Sequence, residues 1–119
     1  MEPGETLVQA AVRETWEEAG IEIRPHSLLR FDHQWLALEG SYASKWRFVL
    51  VASPVGPADP KSEPDHHSLE VRWIAPADLA GYPLRDFEVV PLILHVDGGG
   101  PLTPLSVYNS VPLPPPYRD

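Results

Sequence analysis

The placement of its fifteen prolines constrains this chain more than any other feature of its sequence. Proline lacks a backbone donor and fixes φ, so it interrupts both helices and strand ladders. Four of them fall within residues 54–64 and six within residues 101–116. These two stretches read as loop and tail, and regular structure is left to the segments before and between them. The chain has 119 residues, 43% of them hydrophobic, which suits one domain with enough apolar material for a core. No apolar run approaches the roughly 18 residues of a membrane span, and no leader pattern opens the sequence, so no membrane partner is expected. With no cysteine, thiolate metal sites, disulfides and cysteine nucleophiles are excluded, and a reducing, cytoplasmic setting fits. A net charge of −8 disfavours nucleic acid as a partner. An acidic protein acting on phosphates would need a divalent cation between its carboxylates and its substrate.

Residues 6–19 read as a helix. Thr6 and Gln9 have the spacing of a capping box, Gly20 is a natural stop, and Leu7, Ala10, Ala11 and Thr15 make a narrow stripe of small residues suited to a sheet. Residues 21–23 read as a short strand ended by Pro25. Residues 28–38 and 46–53 read as a hairpin whose turn lies in 40–44, and residues 69–74 alternate as a further strand. A short helical turn is expected behind Pro76, and a terminal helix within 86–96 that starts late or kinks at Pro91. From residue 97 the Gly98-Gly99-Gly100 run and the prolines predict an extended, loosely packed tail, so the domain is placed at 1–96 and the tail at 97–119.

On the helix, Glu17 and Glu18 lie about 60° to one side and about 40° to the other of Glu14, so three carboxylates share one face. Such a face either is simply solvated or gathers a hard cation, for which oxygen ligands suit Mg²⁺ or Mn²⁺ better than zinc. The residues around it add to the pattern. Glu5, Arg13-Glu14, Glu17-Glu18 and Gly20-Ile21, within ETLVQAAVRETWEEAGI over residues 5–21, resemble the signature of the Nudix hydrolases. Thr15 departs from the aliphatic residue usual at its place, and the signature's first glycine would precede Met1.

The resemblance implies an α/β fold, a mixed sheet between helices, here incomplete because its leading strands are missing. It implies hydrolysis of a nucleoside diphosphate linked to some group X, with Mg²⁺ or Mn²⁺ as cofactor and a small-molecule nucleotide as substrate. Glu17, Glu14 and Arg13 become the catalytic candidates, and Glu14, Glu17 and Glu18 the metal ligands. Glu17 would help deprotonate or orient the attacking water, while Glu5, paired with Arg13, and Gly20 would support the site. Later segments look like the branch acting on oxidised guanine nucleotides such as 8-oxo-dGDP. A sheet without its first strands would expose an edge, and that edge could recruit a second copy of the chain. The rival reading is a catalytically impaired Nudix remnant that serves as a binding or interaction module.

Three features keep two readings each. His67 and Glu70 are accessory base or metal candidates, or a loop residue and the polar face of a strand. Phe31, Trp35, Trp46 and Phe48 either fill a core or stack on a base. The tail sequence Pro114-Pro115-Pro116-Tyr117 resembles the PPxY ligand of WW domains, through Pro114, Pro115 and Tyr117, or is disordered polypeptide.

Overall fold

The computed structural model describes residues 1–57, 59–60, 72–83 and 89–112. The first helix, α1 (Leu7–Ala19), is bounded by the two caps its sequence announces. The Thr6 hydroxyl accepts from the Gln9 amide at 3.0 Å, and the Gln9 side chain accepts from the Thr6 amide at 2.9 Å, a reciprocal capping box. At the other end Gly20 takes a left-handed backbone, φ 69°, and donates to the Trp16 carbonyl at 2.9 Å.

Two long strands follow, β1 (Ile23–Leu38) and β2 (Ser41–Pro54), paired antiparallel from Ile23 opposite Pro54 to Leu38 opposite Ser41. The turn is only Glu39-Gly40, with Gly40 at φ 76°, so residues 41–44 belong to the strand rather than to a loop. Pro25 does not end the first strand. It lies inside β1 opposite Ala52, and the register shifts between Pro25 and Ser27, which lets the ladder absorb a residue that cannot donate.

The expected terminal helix is α2 (Val89–Asp97), in which Pro91 occupies the first turn, where a missing amide donor costs nothing. Before it, Pro76–Gly81 makes a short 3-10 turn that buries Leu79. Of the strand expected over 69–74, residues 69–71 lie outside the described residues, and 72–74 are not in a strand. Leu84 and Arg85 also lie outside them.

The segment after α2 packs otherwise than its composition suggests. The amides of Gly98, Gly99 and Gly100 return to the carbonyls of Leu94, Val96 and His95, closing the helix. His95 Nε2 meets the Pro101 carbonyl at 2.8 Å, and the imidazole lies so close to Gly100 that a Cβ there would come within 2.4 Å of it. This tight corner aims β3 (Thr103–Pro104) at β1, where Thr103 pairs with Leu28 and Pro104 with Ser27. The described sheet therefore has three strands, in the order β2-β1-β3, with both pairings antiparallel, and it is not closed. Helices flank it, so the architecture is α/β. A proline-rich stretch can join a sheet at its edge because an edge strand need donate on one side only.

Beyond β3 a 3-10 turn, Leu105–Val107, delivers Tyr108, whose hydroxyl oxygen accepts from the Leu7 amide at 3.1 Å. That amide is one of the donors a helix start leaves without an internal partner. Tyr108→Phe is expected to cost about 1 kcal/mol, the net worth of one such bond, read as a lower midpoint in urea at an unchanged slope. The buried apolar residues among those described are Ala10, Ile21 and Leu79, and no helix among them is long and apolar enough to cross a membrane.

Candidate functional site

The site is organised around Arg13. Ahead of α1, Glu2-Pro3-Gly4-Glu5 makes a turn in which Pro3 precedes Gly4 at φ 82°, the order a type II turn asks for. The Glu5 amide donates to the Glu2 carbonyl at 3.0 Å, and the Glu2 amide donates to Glu5 Oε2 at 2.8 Å. The turn holds the Glu5 carboxylate beside the second turn of α1. Arg13 grips it in a fork, Nε to Oε1 at 2.7 Å and Nη2 to Oε2 at 3.1 Å, the geometry that makes guanidinium–carboxylate pairs strong and directional.

The same guanidinium reaches the carboxylate face. Arg13 Nη1 donates to Glu17 Oε2 at 3.1 Å, one helical turn on, and Nη2 lies 3.4 Å from Glu14 Oε1. Glu14 Oε1 also lies 3.5 Å from the Met1 ammonium. Glu18 is exposed on the next position of the helix. One cation thus links the loop carboxylate to two of the three glutamates singled out in the sequence, and Gly20 ends the helix directly after them.

The Arg13 fork holds the Glu5 carboxyl well below its ordinary value, from 4.5 to about 2, with the Glu2 amide adding to the effect, and the Arg13 guanidinium is pushed further up in return. The consequence for stability has a definite sign. A carboxyl depressed in the folded state contributes above pH 4.5 and loses that contribution as pH falls toward about 2. The difference in melting temperature between the natural chain and Glu5→Gln is expected to be largest near neutral pH and to close across this window, which a pH series of thermal melts would read.

The donor chemistry of Glu14, Glu17 and Glu18 suits a hard divalent cation, since all three offer carboxylate oxygens from one helix. Their arrangement is directed elsewhere. Among the described residues no three histidine or acidic side chains are grouped so as to hold a metal ion, and Glu14 and Glu17 turn to Arg13 instead. His67 and Glu70, the accessory candidates, lie outside the described residues, as do Pro114, Pro115 and Tyr117.

The description of the NUDIX domain family matches residues 1–93, so the match takes in α1, both hairpin strands and part of α2. The chain belongs to the Nudix family. Among curated relatives, this Nudix chain is similar to 8-oxo-dGDP phosphatase NUDT18 of Homo sapiens, at 37% identity over 95 residues, 78% of this chain and 27% of that protein. It is also similar to phosphatase NudJ of Escherichia coli (strain K12), at 32% identity over 82 residues, 66% of this chain and 49% of that protein. The chain therefore spans about a quarter of the human relative and about half of the bacterial one.

Two contributors to the candidate site escaped the sequence reading. The Pro3-Gly4 turn that presents Glu5 carried a legible turn signal. Tyr108, which completes the start of α1 from 101 residues away, carried none.

Proposed function

We propose that this Nudix domain hydrolyses a nucleoside diphosphate linked to a group X, with Mg²⁺ or Mn²⁺ held by Glu14, Glu17 and Glu18. The observation that carries this reading is the Arg13 hub, which ties the Glu5 loop to the glutamate face of α1. When bound, the cation supplies neutralisation of the charge that develops on the phosphate oxygens. Glu17 takes up or orients the proton of the attacking water. Arg13 is a positioning residue, setting where the carboxylates of Glu14 and Glu17 stand, and Glu5 in turn sets Arg13. Gly20 turns the chain away after the last glutamate.

Oxidised guanine nucleotides lead the substrate list, because a similar human protein is named an 8-oxo-dGDP phosphatase. In this reading residues 1–96 form the hydrolase domain, and the segment from 97 on is a tail that folds back as β3. Release of nucleoside monophosphate or phosphate from a nucleotide panel, with and without Mg²⁺, tests it. Cation-dependent turnover is the expected result, and none from a folded chain would overturn it.

A second reading, a Nudix domain that binds without cleaving, is favoured by one observation. No metal-holding group is formed among the described residues. It predicts nucleotide affinity that Mg²⁺ does not change.

A further inference from the structure

The helix that carries the glutamates is seated lightly. Of the thirteen residues of α1 only Ala10 is buried, and Trp16, its largest side chain, is 60% exposed. Small residues let a helix lie close to a sheet, but they offer no large side chain to lock it in place. The setting of α1 therefore depends on what holds its ends. Its last turn runs through the buried Ile21 directly into β1. Its start has no such continuity.

What reaches the start is the segment beyond α2. β3 pairs with Ser27 and Leu28 of β1, the 3-10 turn after it also packs against β1, and the Tyr108 amide donates to the Leu105 carbonyl at 2.9 Å. The ring thus leaves a backbone that is fixed on the sheet, and its hydroxyl takes the Leu7 amide at 3.1 Å, two residues after Glu5. Around this bond the two segments face each other across a cleft of about 730 Å³, with Glu5, Thr6 and Gln9 on one side and Tyr108, Ser110 and Pro112 on the other. Residues 103–108 therefore run from the central strand to the end of α1 that this strand does not hold. They lie beyond residue 93, where the match to the NUDIX domain ends, so the family resemblance says nothing of them.

First turns of helices fray when their amides lack partners. If the Leu7 end opens, the turn that presents Glu5 loses its seat, and the Arg13 fork that places Glu14 and Glu17 goes with it. A displacement of about 1 Å at reacting groups can cost about 100-fold in rate, so a contact remote from the carboxylates carries weight. Resting on the hydrolase reading above, we propose that residues 103–108 are a working part of the site: they brace the start of α1 against β1, and Tyr108 is a positioning residue for the Glu5–Arg13 hub and, through it, for the carboxylates that hold the cation.

The test uses the full chain with Tyr108→Phe, which deletes the hydroxyl and keeps the ring, and with Gly100→Ala, whose methyl would fall 2.4 Å from the His95 ring and drive it off the Pro101 carbonyl, loosening the corner that aims the segment. Both are expected to raise the Mg²⁺ concentration for half-maximal nucleotide turnover about three- to fivefold, the population worth of one hydrogen bond, with the nucleotide KM at saturating Mg²⁺ unchanged. A chain that was merely less stable would lose rate in equal proportion at every Mg²⁺ concentration. Amide exchange gives a readout that needs no turnover. Protection is expected to fall at Glu5, whose amide bonds Glu2, as well as at Leu7. Loss of protection at Leu7 alone, or an unmoved Mg²⁺ requirement in both variants of an active chain, would overturn the brace. Failure of the hydrolase reading looks different: the natural chain would turn over no nucleotide at any Mg²⁺ concentration, and exchange at Glu5 would still decide whether the brace exists.

Discussion

Glu17→Gln is expected to lower Mg²⁺-dependent nucleotide turnover by about 100-fold or more, with KM moving by no more than about threefold. Glutamine keeps the shape of the side chain and an oxygen that can still accept from Arg13 Nη1, so the hub survives. What it removes is the ability to take a proton from water, together with one anionic ligand of the cation in the proposed site. A loss confined to kcat would mark an interaction made in the transition state, whereas a rise in KM alone would mean that Glu17 only helps to bind. Turnover that is unchanged in the variant would remove Glu17 from the chemistry and pass the proton to another group.

The second large effect is expected at Arg13. Arg13→Lys keeps the charge on a shorter side chain, and an ammonium cannot grip both oxygens of Glu5 in a planar fork while reaching Glu17 and Glu14. Turnover is expected to fall about 10- to 100-fold, the usual cost of losing a group that orients others. The decisive control is the apparent Mg²⁺ requirement. If Arg13 sets the positions of the carboxylates, the variant should need more Mg²⁺ for half-maximal rate. An unaltered Mg²⁺ requirement with reduced rate would instead give Arg13 a direct part in contacting substrate.

Local signals were legible in this sequence where they were redundant. Thr6 with Gln9 and the closing Gly20 each announced an end of α1, and both cap as their types dictate. The hairpin was legible from its apolar runs, but its turn was placed too late, because Ser41 to Ser44 are small, polar residues that read as loop and sit in a ladder. Pro25 was read as a stop because the irregularity that accommodates it depends on the partner strand, which no local pattern reports. The tail was least legible. Thr103–Pro104 is too short to show any periodicity, and its place beside Leu28 is set by the His95–Gly100 corner, a contact between a ring and a backbone. At the site, helical spacing predicted one shared face for Glu14, Glu17 and Glu18, all of which lie on α1. That Arg13 would draw two of them toward itself follows from side-chain reach, which spacing alone does not encode.

The bond between the Leu7 amide and the Tyr108 hydroxyl has a consequence for the order of folding. Contacts between residues far apart in sequence carry the entropy of closing the whole intervening loop, and they form late. During synthesis the helix bearing the glutamates emerges ahead of Tyr108, which lies 101 residues further along the chain, and its first turn is completed only when that residue arrives. Its hub with Glu5 is local and can form early; its final anchoring cannot. A ribosome-bound chain stalled before Tyr108 should therefore show α1 formed but fraying at Leu7, with faster amide exchange there than in the released protein.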